Sequence, residues 1–287
     1  MFKGSIVALV TPFRSGKLDL DSLEKLVNWH IESGTDGIVV CGSTGEGMLL
    51  SDDERISVIS TAVDVAAKKI PVIAGCSTCC TAEAVRQVTQ SERLMADGAL
   101  VVAPYYVKPT QSGIIEHFKV VMESCSLPII VYNNPGRCSV GIEVDTIVEI
   151  AKFGQIALKD SDTDLARITR LKSIIPHVSM LSGDDATLIG YLAHGGDGCI
   201  SVTANVKPTR VKQLVTAWKM MDISAAHKIN SELSHMNEAL FIESNPIPVK
   251  YILSQMGMIQ NELRSPLLPA SLSAIQKINA ATRRIKN

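Results

Sequence analysis

Short runs of apolar residues recur along the chain, and between them the apolar positions follow a different rhythm. The runs cover residues 6–10, 37–40, 71–74, 100–103, 128–132, 156–158, 178–181 and 198–202. They are dominated by Val, Ile, Leu and Ala, are too short for helices and lack the alternation of a half-exposed strand, so each predicts a strand buried on both faces. In the intervals Leu23, Leu26, Val27 and Ile31 recur with helical period, as do Val58, Ala62, Val65 and Ala66. Ser51-Asp52-Asp53-Glu54 has the pattern of a capping box, and Thr81-Ala82-Glu83 places an acid in a first helical turn.

Buried parallel strands need crossover helices. Eight such strand-helix units predict one α/β unit, a (β/α)8 TIM barrel occupying residues 1–222. An open doubly wound sheet would want a glycine fingerprint after its first strand, and Val10-Thr11-Pro12-Phe13-Arg14-Ser15-Gly16 has none. Residues 223–287 show no further strand pattern: 225–241, 247–256 and 271–285 read as helices, a C-terminal helical appendage packed on the barrel with no Gly/Ser/Pro-rich linker before it. No stretch reaches the roughly 18 apolar residues of a spanning helix, so no membrane association is expected, and the chain reads as soluble and cytoplasmic.

Charge removes another class. With 28 Lys+Arg against 29 Asp+Glu the chain has no basic excess, and its longest basic cluster, 283–286, falls at a helix C-terminus that favours cations anyway, so nucleic acid is not an expected partner. The seven cysteines are an odd number scattered mostly through apolar contexts, as expected of reduced residues. Cys76-Ser77-Thr78-Cys79-Cys80 resembles half a zinc site, but no second Cys or His pair follows at the required distance, and the six histidines fall mostly on helices, so no metal is expected.

In such a barrel, chemistry sits where the C-terminal ends of the strands meet the following loops. Polar residues that a core does not need collect there: Cys41 to Gly47, Pro104-Tyr105-Tyr106, Tyr132 to Arg137, Lys159-Asp160, and Ser182 to Asp185. Lys159 ends an apolar strand, so its side chain is expected in the barrel mouth with little water around it. There, desolvation favours a neutral amine, the form that adds to carbonyls and makes a Schiff base. A lysine leaving the strand for solvent, or paired with Asp160 or Asp162, is the alternative. Schiff-base chemistry needs proton transfers, and Tyr132 and Tyr106 with Ser43 or Thr44 between them form a candidate relay. The glycines of 42–47 let backbone approach a ligand, and successive N–H groups with two hydroxyls suit a carboxylate. Arg137 is either a surface charge or an anchor for a second carboxylate.

These motifs, with Gly198 to Val206 and Asn245-Pro246-Ile247-Pro248-Val249-Lys250, closely resemble the dihydrodipicolinate synthase (4-hydroxy-tetrahydrodipicolinate synthase) family of pyruvate-dependent class I aldolases, over essentially the whole chain. The resemblance implies condensation of pyruvate with aspartate 4-semialdehyde, the first committed step of diaminopimelate and lysine biosynthesis, through a covalent imine on Lys159 and with no other cofactor. It makes Tyr132, Ser43 and Tyr106 the proton relay, with Tyr106 reaching in from a neighbouring subunit of a homotetramer, a dimer of dimers. It gives Thr44 the pyruvate carboxylate, Arg137 the carboxylate of the second substrate, and Gly183 and the Ile200 backbone the pocket wall. The alternative is a related aldolase or lyase acting on a 2-oxo sugar acid. Ser43, Gly47 and Asp160-Ser161-Asp162 depart from the family's usual threonine, serine and Glu-Ala-Thr. Many members are inhibited by lysine at a subunit interface. Here Tyr105 and Glu83 match that site while Cys79, Gly47, Met48, Asp52 and Arg55 do not, so weak or absent inhibition is expected.

Overall fold

The computed structural model describes residues 1–284, so the predicted helix end at Ile285 and the Ile285-Lys286 half of the basic cluster lie outside the described residues. Among the described residues, eight parallel strands close into a barrel: β1 Gly4–Ala8, β2 Gly37–Val40, β3 Val72–Gly75, β4 Gly98–Val102, β5 Ile129–Asn133, β6 Ile156–Asp160, β7 Ser179–Ser182 and β8 Gly198–Ser201. Closure is made by β1, which pairs with β2 on one side (Ile6 opposite Gly37) and with β8 on the other (Gly4 opposite Gly198). Every strand is flanked on both faces, by the barrel interior and by the helix layer. This explains their uninterrupted apolar sequences: Ile6, Ile38, Ile73, Val101, Ile130 and Leu158 are all fully buried.

Some of the crossover helices begin where the sequence supplies a capping side chain. Asp19 accepts from Ser22 N at the start of helix Leu20–Glu32, and Ser51 and Glu54 form the reciprocal capping box of helix Asp52–Ala66. At the opposite end of the barrel from the chemistry, an Asp-Gly pair precedes β2, β4 and β8. Each aspartate accepts the N–H of a residue on the preceding strand: Asp36 from Ser5 at 2.8 Å, Asp97 from Val72 at 2.9 Å, Asp197 from Met180 at 3.0 Å. Lys212, Lys68 and Lys172 pair with the same three carboxylates. The repeated device satisfies strand-end donors that no ladder reaches.

A small antiparallel hairpin, Phe13–Arg14 with Lys17–Leu18, follows β1 and was not expected; Ser15 and Gly16 turn it with positive φ of 52° and 76°. The C-terminal helices run Ile223–Ala239, Ile247–Gln255 and Leu272–Arg284. Among the described residues no helix is long and apolar enough to cross a membrane.

Candidate active site

β5 and β6 pair in register, with Tyr132 opposite Lys159. Both point into the mouth, where the Lys159 ammonium lies 4.2 Å from the centre of the Tyr132 ring. Lys159 is only 7% exposed. Neither acidic neighbour takes it: the buried Arg167 guanidinium lies 3.1 Å from both Asp160 and Asp162, and Asn133 Nδ2 donates to Asp160 at 2.9 Å. Burial raises the Asp160 carboxyl, which Arg167 and Asn133 partly oppose. The alternative of a lysine in solvent or paired with Asp160 or Asp162 is therefore not what the fold builds. Arg167 claims both acids, a role the sequence reading did not give it.

The Tyr132 phenol accepts from Asn134 Nδ2 at 2.7 Å and from Ser161 Oγ at 3.4 Å. Burial alone would raise its titration, but the Lys159 charge, the two hydrogen bonds and Arg137 outweigh it and hold the phenol below its ordinary range. Asn134 serves twice. Its Oδ1 accepts from Arg137 N, capping the short helix Pro135–Cys138, so one side chain ties the phenol to the backbone of Arg137. Gly183, at the end of β7, admits the lysine: a Cβ there would fall 2.1 Å from Ser161 Oγ and 3.1 Å from Lys159 Cε.

The loop after β2 is wound tightly. Glu46 has φ of 52°, Gly47 N donates to Gly42 O at 3.0 Å, and a Cβ on Gly47 would lie 1.8 Å from Cys41 O. The C-terminal segment holds this loop from above. Lys250, fully buried, donates to Glu46 Oε1 at 2.5 Å and to Thr11 O at 2.8 Å, and its ammonium stands 4.2 Å over the Phe13 ring of the hairpin. Burial pulls the Lys250 ammonium below its usual range while Glu46 opposes that shift. Arg264 N donates to Glu46 Oε2 at 2.8 Å, and Asn245 Nδ2 donates to Thr44 Oγ1 at 2.8 Å.

A cavity of about 380 Å³ at this end is lined by Ser43, Thr44, Tyr132, Arg137, Lys159 and Gly183, together with Ser161, Asn245 and Val202. Ile200 lies two residues before Val202, buried on β8. Arg137 Nη2 reaches the Asn245 carbonyl at 3.2 Å. Tyr106 is not brought to the cavity by its own chain: it has φ of 70° and is 89% exposed, so a relay of Tyr132 and Tyr106 within one chain is excluded. Tyr105 turns inward instead, toward Ser43, Met48, Tyr132 and Arg137. Among the described residues no group of three His, Cys, Asp or Glu side chains could hold a metal ion.

The site thus offers a lysine, a phenol and a guanidinium around one cavity at the barrel mouth. The dihydrodipicolinate synthetase family model matches residues 1–285. A 4-hydroxy-tetrahydrodipicolinate synthase of Thermodesulfovibrio yellowstonii is 45% identical over 285 residues, covering 99% of this chain and 98% of that one. The crystal structure of dihydrodipicolinate synthase from Aquifex aeolicus superposes with a TM-score of 0.97 at 42% identity, over 99% of this chain and 98% of its own. A synthase from Acinetobacter baumannii, crystallised in complex with pyruvate, gives 0.97 at 40% identity over 100% and 99%. With barrel, mouth residues and whole-chain similarity in agreement, the chain belongs to the dihydrodipicolinate synthetase family.

Proposed function

We propose that this chain condenses pyruvate with aspartate 4-semialdehyde to 4-hydroxy-tetrahydrodipicolinate, the first committed step of diaminopimelate and lysine biosynthesis. The observation that carries this reading is the Lys159 side chain, without an acidic partner among the described residues, beside the Tyr132 phenol and in one cavity with Arg137. Lys159 Nζ adds to C2 of pyruvate, and the carbinolamine loses water to leave an imine. Loss of a C3 proton gives the enamine, whose C3 attacks the aldehyde carbon of the semialdehyde. The amine of the semialdehyde then adds to C2 and displaces Lys159, closing the ring and regenerating the free lysine. Tyr132 gives and takes the protons, with Ser43 beside it in the cavity wall.

Thr44 and the loop N–H groups hold the pyruvate carboxylate, Gly183 and the Ile200 backbone shape the wall, and Arg137 grips the carboxylate of the second substrate. Tyr106, exposed and held in a left-handed conformation, completes the relay in a neighbouring copy, within a homotetramer built as a dimer of dimers. Residues 1–222 are the catalytic barrel, and the unit from 223 onward contributes, within its described residues, the helices folded onto it. The imine is the only covalent device required, with no metal or dissociable cofactor, and the enzyme works in the cytoplasm, consistent with its free cysteines.

A coupled assay with pyruvate and a panel of aldehydes tests the substrate assignment. The semialdehyde should exceed sugar aldehydes in kcat/KM by at least about 10²-fold, the discrimination expected when a charged anchor is left unpaired by the wrong substrate. A preference for sugar aldehydes would move the chain to the sugar-acid lyases.

A further inference from the structure

Thr44 and Asn245 stand 201 residues apart in sequence and meet at the cavity wall. Asn245 is buried, and its Oδ1 finds no partner among the described residues. Its Nδ2 donates to Thr44 Oγ1 at 2.8 Å, while its backbone carbonyl accepts from Arg137 Nη2 at 3.2 Å. A threonine hydroxyl has one proton and two lone pairs. Having accepted from Asn245, the Thr44 oxygen keeps its own proton free for the cavity. An acceptor in place of the Asn245 amide nitrogen would draw that proton away and leave only lone pairs facing an incoming carboxylate.

We propose that Asn245 is a positioning residue for pyruvate: by donating to Thr44 it turns that hydroxyl into a donor toward the substrate carboxylate. The inference rests on the reading of Thr44 as part of the carboxylate site. The surrounding structure fixes the geometry it needs. The Lys250 to Glu46 ion pair and the Arg264 N to Glu46 hydrogen bond anchor the loop two residues beyond Thr44, on the same C-terminal segment that carries Asn245. Arg137 is held by the Asn245 backbone, so changing the side chain leaves the grip on the second substrate in place.

The test is steady-state kinetics of Asn245→Leu, Thr44→Val and the double variant, with folding checked by thermal melting. Asn245→Leu should raise KM for pyruvate about 10-fold or more, with kcat and KM for the semialdehyde within about threefold, the scale of one hydrogen bond to a charged group. In the Thr44→Val background the same substitution should add less than about twofold, because its effect passes through the hydroxyl. Full additivity in the cycle, or an unchanged KM for pyruvate in the single variant, overturns the inference. Should the leucine variant fail to fold, Asn245→Asp carries the test: KM for pyruvate should rise at pH 8 and recover as pH falls and the new carboxyl becomes a donor, whereas an unchanged KM at pH 8 overturns it. Wild-type enzyme is first trapped with pyruvate and borohydride; absence of an adduct there refutes the functional reading itself rather than the role of Asn245.

Discussion

Lys159 and Tyr132 face one another across the β5–β6 ladder, so Lys159 Nζ sits 4.2 Å from the centre of the phenol ring, with no bond to an acid among the described residues. Both side chains are placed by strand register, which packing on both faces of the barrel fixes to the residue. The phenol has its own donors in Asn134 and Ser161, which leaves its proton available to a reacting oxygen.

Replacing Tyr132 by Phe should therefore lower kcat about 10²-fold or more, the usual contribution of a positioned proton-transfer group, while pyruvate still binds. A Tyr132→Phe enzyme within a few-fold of wild type would reduce the phenol to packing.

Arg137→Ala should act on the second substrate. Loss of a hydrogen-bonded charge costs about 1.5–3 kcal/mol, or roughly 10- to 150-fold in KM for the semialdehyde. An effect confined to KM for pyruvate contradicts the assignment.

Lysine should inhibit weakly or not at all. Glu83, which would attract the ligand's ammonium, is already gripped by Arg86 through two hydrogen bonds of 2.6 and 2.8 Å, and Arg86 also binds Asp52. Those bonds with Arg86, and then Gln87, keep the Glu83 carboxyl below its ordinary range against the effect of burial. Arg55 is buried with Nη2 on the Gly75 carbonyl at 2.8 Å, which puts a fixed positive charge near the same carboxylate. Titration at saturating pyruvate is the measurement. Half-inhibition below about 1 mM, equivalent to roughly −4 kcal/mol of binding, would show that lysine displaces Arg86 after all.

Two interior histidines set an acid limit on the fold. Burial pushes His30 down to about 3 and His117 down to about 4. In the unfolded chain they titrate near ~6.5, so between that pH and the folded values only the unfolded state gains the protons. Their contribution is complete above about pH 6.5 and is lost as pH falls, at about 2 kcal/mol each by pH 5. Burial raises Asp160 and Asp185, which act in the opposite sense at lower pH. Denaturant unfolding at pH 7.5 and pH 5 should show the loss, and His30→Gln should flatten the slope by about one histidine's share. A slope untouched by that substitution removes His30 as its cause.

The alternation of apolar runs and helical stretches locates all eight barrel strands to within two residues at every end, because a strand buried on both faces has no other way to be written. Ser51 to Glu54 likewise forms the capping box its spacing predicts. Local patterns carry no information about pairs such as Glu46 with Lys250 or Thr44 with Asn245, which are brought together only when the chain folds back over the mouth. The hairpin at Ser15-Gly16 is not read from the sequence because its two-residue strands are shorter than any periodicity can register. The double duty of Arg167 toward Asp160 and Asp162 hides in a helix whose sequence looks like an ordinary charged surface.

In the proposed chemistry Lys159 is the residue that becomes covalently attached to substrate. Borohydride reduction in the presence of pyruvate, followed by peptide mass mapping, tests it most directly. A single reduced pyruvyl group is expected on Lys159, lost in Lys159→Arg although that variant remains folded. Modification of another lysine, or turnover with no trapped adduct, would contradict it.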